Sequence, residues 1–89
     1  MKLYVSLKRH QDDQGEYKKL ILMTSEDSWI YQLKRKIERE FSELFPHEPP
    51  YVVAKLEDSE GFAVSNSSQV KDTFGPGGRL VAQPEQGAS

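Results

Sequence analysis

Cysteine is absent from the 89 residues, which removes disulfides, thiolate metal sites and cysteine nucleophiles together. A small domain without covalent staples fits a reducing compartment, cytosol or nucleus. Long apolar runs are missing as well. None approaches the roughly 18 residues of a membrane span, and the strand-like N-terminus is unlike a signal peptide. Nor is there a surplus of positive charge, with 12 basic residues against 14 acidic and a net charge of −2. Nucleic-acid binders generally need a basic excess to release counterions, so neither nucleic acid nor a membrane is an expected partner. Histidine is scarce too. His10 and His47 lie far apart, each in an expected loop, short of the three or four ligands that zinc takes. No metal and no cofactor are expected.

What the chain has is enough for one core. Leu, Ile, Val and Phe number 21, about 24% of the residues, above the roughly 20% below which chains stay disordered. A catalytic pocket needs several hundred cubic ångströms of walled space, and so short a chain has little interior to spare. A non-enzymatic binding module, carried by a longer protein, is the class this composition favours.

The first segment alternates. Leu3, Val5 and Leu7 fall on one face, and Lys2, Tyr4, Ser6 and Lys8 on the other, the period-2 pattern of a half-buried strand. Residues 9–16 are polar, include Gly15 and read as a hairpin loop. A second strand over 17–24 carries apolar side chains on both faces, with Leu20 and Leu22 favoured as the inner pair. Residues 24–28 are rich in helix-capping side chains. Beyond them Ile30, Leu33, Ile37, Phe41 and Leu44 step by three and four, tracing the apolar stripe of one long helix. Trp29 and Phe45 widen that stripe at its ends, and Pro46, Pro49 and Pro50 stop the helix. Residues 51–56 read as a third strand with Val52, Ala54 and Leu56 on one face. An acidic turn at 57–61 follows, then a short strand at 62–64 and two apolar anchors, Val70 and Phe74. After a glycine-rich turn at 75–78, residues 79–82 form a last strand.

One amphipathic helix has to cover one face of a four- to five-stranded sheet, since nothing else can bury either. A hairpin followed by a helical crossover makes that sheet mixed. The expected fold class is α+β, a β-grasp of ubiquitin-like architecture, with residues 1–83 as a single domain and 84–89 as a flexible tail.

Three local patterns carry a resemblance. The helix ends in Phe41-Ser42-Glu43-Leu44-Phe45-Pro46, a Phe-x-x-x-(Tyr/Phe)-Pro element. Leu56-Glu57-Asp58-Ser59-Glu60-Gly61 then reads Leu-x-Asp-x-x-Gly, and Val70-Lys71-Asp72-Thr73-Phe74 reads Val-Lys-Asp-x-Phe. The stretch 29–74 thereby resembles the N-terminal ubiquitin-like domain of a fungal nucleolar family that anchors and restrains the mitotic-exit phosphatase. Members are also described as cytokinesis-checkpoint regulators. The chain departs from the family pattern at residues 63–68, where family members carry acidic residues and a proline. That departure bears on partner contacts through the acidic loop and not on the fold. The resemblance implies a non-catalytic scaffold segment in the nucleus and nucleolus, acting in cell-cycle regulation. Its partner would be a protein, the phosphatase or another cell-cycle regulator.

Other residue patterns are weighed on their chemistry. Glu57, Asp58 and Glu60 invite a calcium loop, but the closing acid twelve along is replaced by Ser68, so a turn is the better reading. Ser, His and Asp show no spacing that suggests a catalytic triad. Lys34, Arg35, Lys36 and Arg39 interleave with Glu38, Glu40 and Glu43, as on a solvated helix face with i,i+4 pairs. Gly77-Gly78 resembles the tail of a conjugated modifier, yet Arg79-Leu80-Val81-Ala82 follows as an expected closing strand. Asn66-Ser67-Ser68 matches a glycosylation acceptor without a secretory signal. The strongest candidate is the sheet face away from the helix. There Tyr4, Ile21, Tyr51 and Val53 are expected to project, flanked by Lys2, Lys19 and Lys55, to suit a protein partner with an apolar centre and an acidic rim. A long uncovered edge strand offers a peptide, or a second copy in self-association, another way in.

Overall fold

The computed structural model describes residues 1–9 and 17–85. The hairpin loop, His10 and the last tail residues expected from the sequence lie outside the described residues. Four strands and two helices follow in the order β1 (Lys2–Leu7), β2 (Lys18–Met23), α1 (Ile30–Leu44), β3 (Val53–Asp58), α2 (Val70–Thr73) and β4 (Gly78–Pro84). The strands form one mixed sheet, β2-β1-β4-β3. β1 pairs antiparallel with β2 and parallel with β4, and β3 pairs antiparallel with β4. This is a small α+β fold with one main helix. The fifth strand expected at 62–64 is reduced to a single bridge between Glu57 and Ala63.

Alternation decides β1, and burial settles which of the two apolar faces of β2 is the inner one. Leu3, Val5, Leu7, Leu20 and Leu22 are buried against α1, which contributes Ile30, Leu33, Ile37 and Phe41. Leu44, expected to close that stripe, is instead 52% exposed. The backbone leaves helical geometry at Phe45 (φ −128°, ψ 66°), and this swings the Phe45 ring to within 5.2 Å of Phe41 in place of Leu44. The helix also starts later than the capping residues at 24–28 suggest. Its cap is Trp29, whose N–H donates to Gln32 Oε1 at 3.0 Å. The next two amides donate to carbonyls of a distant loop, Ile30 to Ser68 at 2.9 Å and Tyr31 to Asn66 at 3.4 Å. Orphan amides at a helix start need partners, and here tertiary carbonyls supply them.

β3 contains the main departure from the expected faces. A register irregularity falls between Val53 and Lys55, so one extra residue, Ala54, shifts the parity of the strand. Tyr51 and Val53 point inward with Leu56, at 7% and 3% exposure, while Val52 faces solvent. β4 runs to Pro84, and the Glu85 N–H reaches Val52 O at 3.2 Å. Val70 and Phe74 anchor the core as expected, presented by the short helix α2.

Candidate functional site

α1 covers one face of the sheet, and the other face carries the candidate site. Opposite Leu3, Val5, Leu20 and Leu22, the alternate residues Lys2, Tyr4, Lys19, Ile21 and Met23 are exposed. Register sets their neighbours. Tyr4 lies directly across from Ile21 on β2 and from Arg79 on β4. Ile21 and Met23 are 52% and 59% exposed, an unusual share for apolar side chains sitting side by side. Tyr4, Ser6, Lys19, Ile21 and Arg79 line a shallow depression of ≈ 280 Å³. Lys2 Nζ stands 5.9 Å from the centre of the Tyr4 ring, within cation–π reach.

Charge is distributed unevenly across this face. β1, β2 and β4 bring Lys2, Lys19 and Arg79 and no acid. The β3 side brings Glu57, but its carboxylate accepts from Gln83 Nε2 and lies 3.5 Å from Lys55 Nζ. On this face the cations of β1, β2 and β4 stand among apolar side chains, and the β3 side pairs Lys55 with Glu57.

Of the residues expected to gather here, Tyr4, Ile21, Lys2 and Lys19 do so. Tyr51 and Val53 do not, for the bulge at Ala54 turns them into the core. Tyr51 packs 5.2 Å from the Phe41 ring and donates its hydroxyl to Lys8 O at 2.5 Å and to Ala82 O at 3.1 Å. Burial pushes that hydroxyl well above the ordinary tyrosine range. Lys55 faces the expected way but sits on the strand farthest from β2, held by Glu57. Met23 and Arg79 belong to the site and were missed. The alternation of β2 pointed to Met23; only the strand order puts Arg79 beside Tyr4.

The remaining expectations resolve into structure. Asp58 Oδ1 accepts from the Glu60 and Phe62 amides, each at 2.9 Å, and Gly61 takes φ +92°. The acidic stretch is a turn whose carboxylate is spent on its own backbone. On α1, Arg35 in place of Lys34 pairs with Glu38, at 2.8 Å. Lys34 turns beneath the helix and donates to Ala54 O at 3.1 Å, and burial lowers its pKa. Tyr17 donates to Glu48 beside the hairpin, and this bond to a carboxylate raises the phenol's pKa. Among the described residues no group of three His, Asp or Glu is placed to hold a metal. Gly77 lies in the turn before β4 and Gly78 opens β4, an inner strand paired on both sides.

The uncovered sheet face thus carries exposed apolar side chains bordered by cations. The chain belongs to the family described as the Cdc14 phosphatase binding protein N-terminus, whose family model matches residues 17–82. That is a family of phosphatase-binding regulator domains and not a catalytic one, and its cytokinesis-checkpoint character ties it to the cell cycle. No curated protein matches the chain.

Proposed function

We propose that this chain is a ubiquitin-like, β-grasp interaction module that docks Cdc14 phosphatase, or a closely allied cell-cycle regulator, on its uncovered sheet face. The observation that carries this reading is the juxtaposition of Tyr4, Ile21 and Met23 with Lys2, Lys19 and Arg79 on one side of the sheet. Aromatic and long apolar side chains supply contact area at interface centres, and cations at the border select an acidic complement. A hairpin, a covering helix and a final strand parallel to the first support the β-grasp assignment. The nucleolar scaffold role and nuclear residence rest on the resemblance of residues 29–74 to that family.

Purified Cdc14 phosphatase titrated calorimetrically with the 89-residue chain tests the proposal. Tyr4→Ala combined with Ile21→Asp is expected to weaken binding by at least roughly tenfold, as loss of a central anchor does. Circular dichroism of that variant should stay native, since both side chains are solvent-facing. Tyr31→Ala, on the outer face of α1, is expected to leave affinity unchanged. Equal binding by all three proteins contradicts the sheet-face reading. A modifier processed at Gly78 finds no support, because cleavage there would remove Leu80 and Ala82 from the core.

A further inference from the structure

The outer side of α1 carries a second exposed surface, turned away from the open sheet face. Tyr31, Gln32, Arg35, Lys36 and Arg39 line a shallow groove of ≈ 370 Å³ there. Helical spacing gathers them, because residues three and four apart are neighbours on a helix. Arg35 lies one turn beyond Tyr31, and Arg39 one turn beyond Arg35. Lys36 stands beside both arginines. The Tyr31 ring, 51% exposed, forms one end of the groove.

The hydrogen-bonding inventory of this groove is one-sided. Gln32 spends its Oε1 on the Trp29 N–H at 3.0 Å, which leaves its amide nitrogen to donate. Arg35 gives only Nη1 to Glu38, at 2.8 and 2.9 Å, so its Nε and Nη2 hydrogens remain. Glu38 is engaged elsewhere too, accepting from the Val53 N–H at 2.8 Å. Lys36 and Arg39 make no hydrogen bond or ion pair among the described residues. Glu40 and Glu43, the i,i+4 partners the sequence offers them, form no pair with them. No carboxylate lines the groove. Apart from the Tyr31 hydroxyl, its uncommitted polar groups are all donors, and three of those side chains are cationic.

We propose that this groove binds a phosphoserine or phosphothreonine in an extended segment of another protein, with an apolar residue two positions away packed on Tyr31. The inference is independent of the docking role of the sheet face, since the two surfaces point in opposite directions. A phosphate monoester brings acceptor oxygens and a charge of roughly −1.5 to −2, and guanidinium groups meet it bidentately. A carboxylate offers two oxygens and a single charge, too few to satisfy three cationic side chains. Nucleic acid fits less well, because its repeated phosphates call for a longer basic stripe than two helical turns. The centre of Arg35, Lys36 and Arg39 lies about 8 Å along the helix axis from Tyr31. Two residues of extended chain span about 7 Å, and this match sets the position of the apolar residue.

Fluorescence anisotropy of labelled acetyl-Gly-Phe-Gly-pSer-Gly-Phe-Gly-amide, titrated with the 89-residue chain, tests the proposal. Saturable binding is expected, weakened at least roughly tenfold by removing the phosphate or by combining Lys36→Ala with Arg39→Ala. Tyr31→Ala is expected to weaken it about threefold or more. Lys71→Ala removes a different exposed cation, held by Asp27 at 3.2 Å, and should leave binding unchanged. Circular dichroism of the double variant should stay native, because neither side chain has a partner to lose. Failure of the phosphopeptide to bind overturns the proposal, as does undiminished binding by the natively folded double variant. Equal binding of a Ser→Glu peptide assigns the groove to acidic segments in general and also overturns it. Capture on phosphatidylserine vesicles without phosphopeptide binding assigns it to a membrane surface, with the same consequence.

Discussion

Tyr51 and Ile21 were expected on the same surface, and their separation shows what a single residue can and cannot disclose. Ile21 lies in a strand whose alternation is regular but apolar on both faces, so it goes outside only once Leu20 and Leu22 are taken as the buried pair. Tyr51 precedes a strand with one extra residue, and a lone bulge inverts every parity inference drawn across it. Hydropathy gives no sign of this, because residues 51–54 are all apolar. Once inside, the Tyr51 hydroxyl serves two carbonyls, Lys8 O and Ala82 O; removing it takes a donor from Lys8 O, while Ala82 O keeps the Lys8 N–H at 3.0 Å. Tyr51→Phe is expected to cost about 1–3 kcal/mol in urea unfolding. The pH dependence follows in sign. Burial raises the phenol above its unfolded value near 10, so its contribution is complete below about pH 10 and lost as pH rises above it. Tyr51→Phe is therefore expected to flatten the alkaline fall in stability relative to the parent chain.

Among the elements, α1 was the most legible, since Ile30, Leu33, Ile37 and Phe41 repeat with helical period and all are buried. Its ends were not, because they depend on tertiary partners: carbonyls of residues 66 and 68 at the start, and the departure of Phe45 at the finish. The short helix α2 had no periodicity to betray it. Packing makes the helix expectation quantitative. Phe41→Ala is expected to cost about 3–5 kcal/mol, while Leu44→Ala should stay within about 0.5 kcal/mol in the same denaturation series. The turn into β4 is tighter than its glycine-rich composition suggests. A Cβ at Gly78 would lie 2.9 Å from Gly75 O and 3.2 Å from the Phe74 Cβ. Gly78→Ala is expected to lower stability by about 1–3 kcal/mol through overpacking, readable as a lower melting temperature with unchanged far-ultraviolet dichroism.

For the whole molecule, the division into a covered and an uncovered face was legible, and the composition of the uncovered face only in part. Alternation supplied Tyr4 and Ile21. The placement of Arg79 beside Tyr4 required knowing that β4 inserts between β1 and β3, a long-range pairing that no local pattern encodes. The family relationship spans β2 through most of β4, so the strand bearing Ile21 and Met23 lies within the shared region. A partner seated on this face should touch the methyl groups of Ile21 and Met23. It should leave untouched the equally exposed Leu44, which lies away from it on α1. The most direct test is methyl cross-saturation from protonated Cdc14 phosphatase to the deuterated, methyl-labelled chain. The account predicts transfer to Ile21 and Met23 with none to Leu44, and transfer to Leu44 that spares Ile21 and Met23 would contradict it.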